Sequence, residues 1–326
     1  MKKYNFQQYN LSFYAIWNEF VHQSKNGTFL FHRDFMEYHK AKFEDFSLLI
    51  FDEKQKLIAI LPANKTEKSL FSHQGLTYGG LLFNEKIKLP DAIEVFKQLL
   101  LFLNENKIDK LNLKMIPAIY HQKPSQELDY CLFLAEAKLL RRDSLSVVNL
   151  TEKSFITQGR KEGVKKATKL CLTIKEEDDF ESFWNEILIP NLQKKHHTKP
   201  VHTLEEITKL KLSFPDNIRQ FNVYENNKIV AGTTIFESHN VAHAQYISGN
   251  ENKSENGSLD FLYHELITTI FANKNYFDFG TSNENQGRKL NKGLNFWKEG
   301  FGSSTITQDF YEVETANYNL LNEVLL

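Results

Sequence analysis

Towards the C-terminus of this 326-residue chain, the run Gly293-Leu-Asn-Phe-Trp-Lys298-Glu-Gly-Phe301-Gly302 places one lysine directly after two aromatic residues. A cation shielded from water by Phe296 and Trp297 can stabilise negative charge that develops on a carbonyl oxygen, because Coulomb attraction strengthens as the local dielectric falls. The plainer alternative is an ordinary solvated lysine, one of 34 in the chain. Asp278, in Phe277-Asp-Phe-Gly280, stands just inside the C-terminal end of an expected strand, where crevices open in α/β sheets. There it can serve as a base, orient one, or hydrogen-bond a loop. His202, in Pro200-Val-His-Thr203, is either a base or a residue that merely precedes a helix cap. Gln245 and Tyr246 point to opposite faces of one strand, so at most one of them faces a cleft, and Tyr246 also suits a core. The cationic run from Arg160 to Lys169, with Lys165 inside it, can hold a diphosphate or an RNA backbone, or can be a solvated face. His32-Arg33-Asp34 and Asp278-Phe279-Gly280 mimic kinase signatures, but no Gly-rich phosphate loop or strand lysine accompanies them. A kinase is excluded.

The elements that must position these residues are repeated. Phe51–Ala59 (FDEKQKLIA) and Val223–Ala231 (VYENNKIVA) align without a gap at an offset of 172, each reading as a β-hairpin with a polar tip. At an offset of 168, Tyr78 falls on Tyr246, the helix after Pro90 falls on the helix after Ser258, and Leu111–Lys114 falls on Phe279–Ser282. Pro90 suits a first helical turn and Ser258 an N-cap. Thr203-Leu-Glu-Glu206 reads as a capping box. Each half thus runs helix, hairpin, strand, helix, strand, which is a mixed-sheet α/β (α+β) layered domain. The expected division is residues 1–150 and 151–326.

Composition sets the outer bounds. Hydrophobic residues at 41% and charged residues at 25% are ordinary for chains that bury a core. A net charge of −1 gives no global attraction to DNA or anionic membrane. Two cysteines exclude a disulfide scaffold and a cysteine metal cage, so no metal is expected. No run approaches 18 apolar residues, so no membrane span is expected, and the cytoplasm is the expected location.

The order of elements and the motifs Gln245-Tyr-Ile-Ser-Gly249, Phe277-Asp-Phe-Gly280 and the aromatic-Lys298 run resemble the FemAB branch of the GNAT acyltransferase superfamily, in which two GNAT-like domains stand in tandem. Gly159-Arg160 to Lys165-Lys166-Ala167 is similar to a basic helix that precedes the second domain there. Thr77-Tyr78-Gly79-Gly80 resembles the glycine-containing strand of the acceptor pocket, without its usual Gly-Pro. The resemblance implies an N-acyltransferase that moves an acyl or aminoacyl group to an amine on an envelope sugar or peptidoglycan-type precursor, in a cleft between domains. It strengthens Lys298, which with Asp278 and His202, read from their places in the chain above, makes up the candidate catalytic residues. Tyr78, Gly79, Gly80, Arg160, Lys165, Gln245, Tyr246 and Ser282 are the candidate substrate contacts. No bound cofactor is expected; acyl-CoA or aminoacyl-tRNA is the co-substrate, and the acceptor is a small-molecule, lipid-linked or nucleotide-linked amine. The loop from Gly249 to Ser258 lacks the glycine-rich pyrophosphate motif, and Asp260 in the following first turn is expected to repel phosphate. This leaves two rivals: an aminoacyl-tRNA-dependent transferase, and a non-catalytic binding protein that keeps the fold.

Overall fold

Both expected hairpins form. In this computed structural model, which describes residues 2–152 and 155–325, Leu48–Phe51 pairs antiparallel with Leu57–Leu61. Ile218–Glu225 pairs antiparallel with Lys228–Glu237. The second tip is Asn226-Asn227, both at positive φ (48° and 64°), the backbone that matches the twist of two strands joined by two residues. In the first tip, Asp52 Oδ1 accepts from the backbone N–H groups of Lys54 (2.9 Å) and Lys56 (2.8 Å).

The chain divides into two units, Met1–Asp143 with Thr307–Leu326, and Ser144–Ile306. A single cut at 150 differs from this: residues 144–150 go with the second unit and the last twenty with the first. Hydrophobic alternation specifies a strand's two faces, not the sheet it joins.

In the first unit the hairpin is flanked by Asn5–Gln8 and Leu82–Phe83. Helix Leu89–Glu105, with proline in its first turn, buries Ala92, Ile93, Val95, Phe96, Leu99, Leu100 and Leu103. That spacing presents one apolar face at 3.6 residues per turn. Val313 and Leu321 complete the same core. Ala59 lies opposite Phe83 and Ala231 opposite Gly249, so the third strands correspond at an offset of 166 rather than 168. Gly80, not Tyr78, therefore matches Tyr246. The slip arises because the parallel partner of Lys110–Lys114 here is a separate strand, Ser69–Phe71.

In the second unit the sheet runs Thr173–Glu177, Ile218–Glu225, Lys228–Glu237, Val241–Gly249, Tyr276–Thr281, then the part of Lys138–Asn149 from residue 144 onward. All neighbours are antiparallel except Val241–Gly249 with Tyr276–Thr281, which are parallel. The capping box holds: Thr203 N–H donates to Glu206 Oε2 (2.9 Å) and Glu206 N–H to Thr203 Oγ1 (3.1 Å), opening helix Leu204–Ser213. No helix among the described residues is long and apolar enough to cross a membrane.

The basic helix Gln158–Lys169 packs on the start of helix Ser258–Glu265. The approach is close enough that a Cβ on Gly257 would lie 2.1 Å from the Gly163 carbonyl oxygen, and Gly257 has φ +68°. Gly257, not Ser258, is therefore the N-cap. Arg160 Nη1 donates to Asp260 Oδ1 at 2.6 Å, and Trp297 Nε1 donates to the same oxygen at 2.9 Å. Burial raises the Asp260 carboxyl above its ordinary range, while Trp297 and Arg160 pull it down. Asp260 is thus a neutralised anchor between helices, and the expectation that it repels a phosphate as a free charge is corrected.

Asp260→Asn leaves a mostly covered guanidinium unpaired, and Gly257→Ala forces both a clash and a left-handed alanine. Each is expected to destabilise the protein by about 2–4 kcal/mol, a fall of roughly 5–10 °C in Tm for a unit of this size. The exposed Lys165→Ala should stay within about 0.5 kcal/mol. Thermal melts equal to wild type for both variants would show that this packing is not needed.

Candidate active site

The two parallel strands of the second unit pair for only three rungs. Val241 faces Tyr276, Ala242 faces Phe277 and His243 faces Asp278; beyond that their ladder stops. Each strand also bulges on its other side at this point. Pairing across Lys228–Glu237 jumps from Thr234/Tyr246 to Ile235/Ala244, which leaves Gln245 as an extra residue. Pairing with Lys138–Asn149 jumps from Asp278/Val147 to Thr281/Leu145, which adds a residue around Gly280. Bulges bend a strand and increase its twist. Together they turn the two strands apart and make a fork.

Backbone groups released from a ladder need other partners. At the fork, side chains supply them. Asp278 is 1% exposed, and its Oδ1 accepts from the Gly280 N–H at 2.7 Å. Lys298 is 2% exposed, and its Nζ donates to the carbonyls of Gly280 (3.0 Å) and Thr281 (2.8 Å). Gly280 has φ +69°, which a residue with a side chain adopts only with strain, and a Cβ there would also sit 3.3 Å from His243 Cε1. Burial lowers the Lys298 ammonium to about 8, against the attraction of Asp278. It remains mostly charged at neutral pH and is far more weakly hydrated than a surface lysine.

Lys298 reaches the fork because helix Lys292–Glu299, capped by the Asn291 side chain on the Leu294 N–H (3.1 Å), turns Trp297 and Lys298 inward. Trp297 packs on Tyr263 and Phe301. Phe296 is 73% exposed, so the expected sandwich of aromatics is corrected: one ring faces solvent, and the surrounding protein dehydrates the lysine.

The other expected residues divide. Tyr246 and His202 meet, with His202 Nδ1 2.7 Å from Tyr246 Oη, while Trp184 stacks edge-on against Tyr246. Burial raises the Tyr246 phenol to about 12, so it is a neutral core group. Gln245 Oε1 and Ser282 Oγ are buried with no hydrogen-bond partner among the described residues. Arg160 is committed to Asp260, and Lys165 is exposed. Tyr78 is buried in the first unit, its hydroxyl 3.1 Å from Thr28 Oγ1 and its ring 4.7 Å from Tyr120. Gly79 N–H donates to the Lys114 carbonyl (2.6 Å), and any side chain at Gly79 would strike the Ser72 carbonyl. Gly80 follows at φ +111°. Sequence reasoning missed His243, whose Nδ1 lies 3.1 Å from Asp278 Oδ2. Nothing in the sequence marked it, because a cross-strand register is needed to bring it to Asp278. Among the described residues no group of three or more His, Cys, Asp or Glu is placed to hold a metal ion.

No family model and no curated protein matches this sequence. Solved structures do match in fold. The crystal structure of FemX aligns over 98% of this chain and 100% of its own at a TM-score of 0.66 and 10% identity. The C-terminal domain of a protein described as a lysylphosphatidylglycerol synthetase of Agrobacterium fabrum aligns over 96% and 95%, at 0.61 and 13% identity. A tandem GNAT protein from the clavulanic acid biosynthesis pathway aligns over 96% and 99%, at 0.52 and 7% identity. With its repeated hairpins, forked parallel strands and whole-length match, the chain has the FemAB-like tandem GNAT fold.

Proposed function

We propose that this protein is a transferase that moves an acyl or aminoacyl group from an activated donor to an amine acceptor on an envelope sugar, lipid or peptidoglycan-type precursor. The observation that carries this reading is the Lys298 ammonium, buried at the mouth of the strand fork and fixed by two backbone carbonyls. The place where the two strands part is where an extended acyl donor would lie. A fixed, weakly hydrated cation beside it favours the charge that forms on the acyl carbonyl oxygen when an amine attacks, and it needs no reorganisation at that moment. Two of the three ammonium hydrogens hold Gly280 and Thr281, and the third is available to the oxyanion. The donor is a thioester of CoA or the ester of an aminoacyl-tRNA; both present the same electrophilic carbonyl. The likeness to FemX and to the lysylphosphatidylglycerol synthetase domain supports the aminoacyl form, and the likeness to the tandem GNAT protein supports the thioester.

Donor choice is tested by supplying acetyl-CoA and a charged tRNA side by side. A tRNA donor should associate with a steep inverse dependence on salt, whereas CoA binding should depend on salt weakly. Transfer from neither donor to any amine would overturn the transferase reading.

Lys298→Met should lower kcat by about 10²–10³ and leave acceptor KM near wild type. Lys298→Arg should restore little, since a planar fork does not fill the place of a compact ammonium. In the wild type, kcat should fall as pH rises through about 8, where Lys298 loses its proton. The same lowered value fixes a stability signature. Between about 8 and the ordinary lysine range the unfolded chain binds more protons, so the wild type gains stability with rising pH, by at most about 1.4 kcal/mol per pH unit. Lys298→Met should lack that gain in denaturant titrations at pH 8 and 10. It should still fold at pH 7 but less stably, because Asp278 is left buried without its neighbouring cation and the Gly280 and Thr281 carbonyls lose their donor. Full turnover in Lys298→Met would make the lysine purely structural.

A further inference from the structure

The fork holds one side chain to which the reading above gives no task. His243 and Asp278 sit opposite each other on the last rung of the two parallel strands, so both project from the same face. Asp278 Oδ1 is occupied by the Gly280 N–H, and Oδ2 lies 3.1 Å from His243 Nδ1. A carboxylate only accepts, so Nδ1 carries a hydrogen, and in the neutral form of the ring the lone pair is then on Nε2. The Asp278 side chain is 2% exposed, whereas that of His243 is 13% exposed. The carboxylate is sealed while the imidazole still reaches solvent. Lys298, bonded to the carbonyl of Gly280, holds from the other side the same turn that holds Asp278. An imidazole steered at one nitrogen by a buried carboxylate, with its other nitrogen unprotonated, is the arrangement that lets histidine accept a proton and keeps the resulting imidazolium paired.

The geometry points to His243 as the general base that takes a proton from the acceptor amine, with Asp278 as its positioning residue. This rests on the transferase reading. The step balances: the acceptor ammonium gives one proton to His243 Nε2, and the neutral amine nitrogen bonds to the acyl carbon. The carbon–sulfur or carbon–oxygen bond to the donor then breaks, with its electron pair leaving on that heteroatom. The second amine proton goes to the leaving group, and the imidazolium returns its proton to solvent. One amide and one free donor alcohol or thiol result.

The test uses the full chain with acetyl-CoA and alanyl-tRNA as donors, and with glucosamine and a lysine-containing muropeptide as acceptors. His243→Ala should lower kcat by about 10²–10⁴ with acceptor KM little changed, and imidazole added to the buffer should restore part of the rate. His243→Gln, which keeps more of the side-chain volume, should be as slow and guards against a folding defect in the alanine variant. Asp278→Asn should also slow kcat, without rescue by imidazole, since the ring is present but misdirected. If His243→Ala and His243→Gln keep kcat within about threefold, or lose activity through KM alone, the proposal is overturned. Should the wild type transfer nothing, the transferase reading falls, yet the pair can still be judged by nitrogen NMR of the imidazole at neutral pH. An unprotonated Nε2 that gains its proton in Asp278→Asn supports the pair, and a protonated Nε2 in the wild type overturns it.

Discussion

The second unit depends on how its central sheet is allowed to come apart. Parallel strands are normally paired along their whole length because each unpaired backbone group buried away from water costs free energy comparable to a lost hydrogen bond. Here pairing stops after His243 and Asp278, and the released groups of Gly280 and Thr281 are taken up by Asp278 and Lys298. Two opposite charges thus replace a piece of ladder. Without them those backbone groups would be buried unpaired, at a cost comparable to several lost hydrogen bonds.

That arrangement ties chemistry to architecture. A buried ion of either sign is costly alone. Lys298 and Asp278 act on one turn from two directions, the carboxylate holding its N–H and the ammonium its carbonyl, so each also stabilises the other. The aromatic cluster of Tyr263, Phe279, Trp297 and Phe301 packs behind this turn, which gives the helix that carries Lys298 a rigid seat. The ion pair of Arg160 with Asp260, which also receives the Trp297 indole, seats that helix from a further side.

Much of this was legible in the residues. The two hairpins, the apolar faces of the helices after Pro90 and near Ser258, and the Thr203–Glu206 box all follow from local periodicity and turn chemistry, and these are properties of short stretches of chain. Lys298 and Asp278 were legible as candidates because a motif carries them. What was not legible depends on which strand lies beside which. His243 is an unremarked histidine in Ala-His-Ala until its partner strand arrives. Tyr78 was set over Tyr246, and the two-residue slip follows from an inserted strand pair in the first unit. Arg160 read as a free cation because its partner is 100 residues away. The strand before residue 150 was assigned to the first half because nothing local distinguishes its two possible sheets.

The division of the chain has its own consequence for how the protein comes into being. The first unit's core is finished by Val313 and Leu321, and its strand Lys110–Lys114 waits for Phe310–Glu314 to pair with it. During synthesis, residues 144–306 therefore hold everything their own core needs before the earlier-made segment can finish. The second unit is in effect an insertion within the first, and the order of completion on the ribosome is the reverse of the order of translation. For as long as the last strand is missing, the edge of Lys110–Lys114 stands open, an unpaired strand of the kind that invites association with other chains.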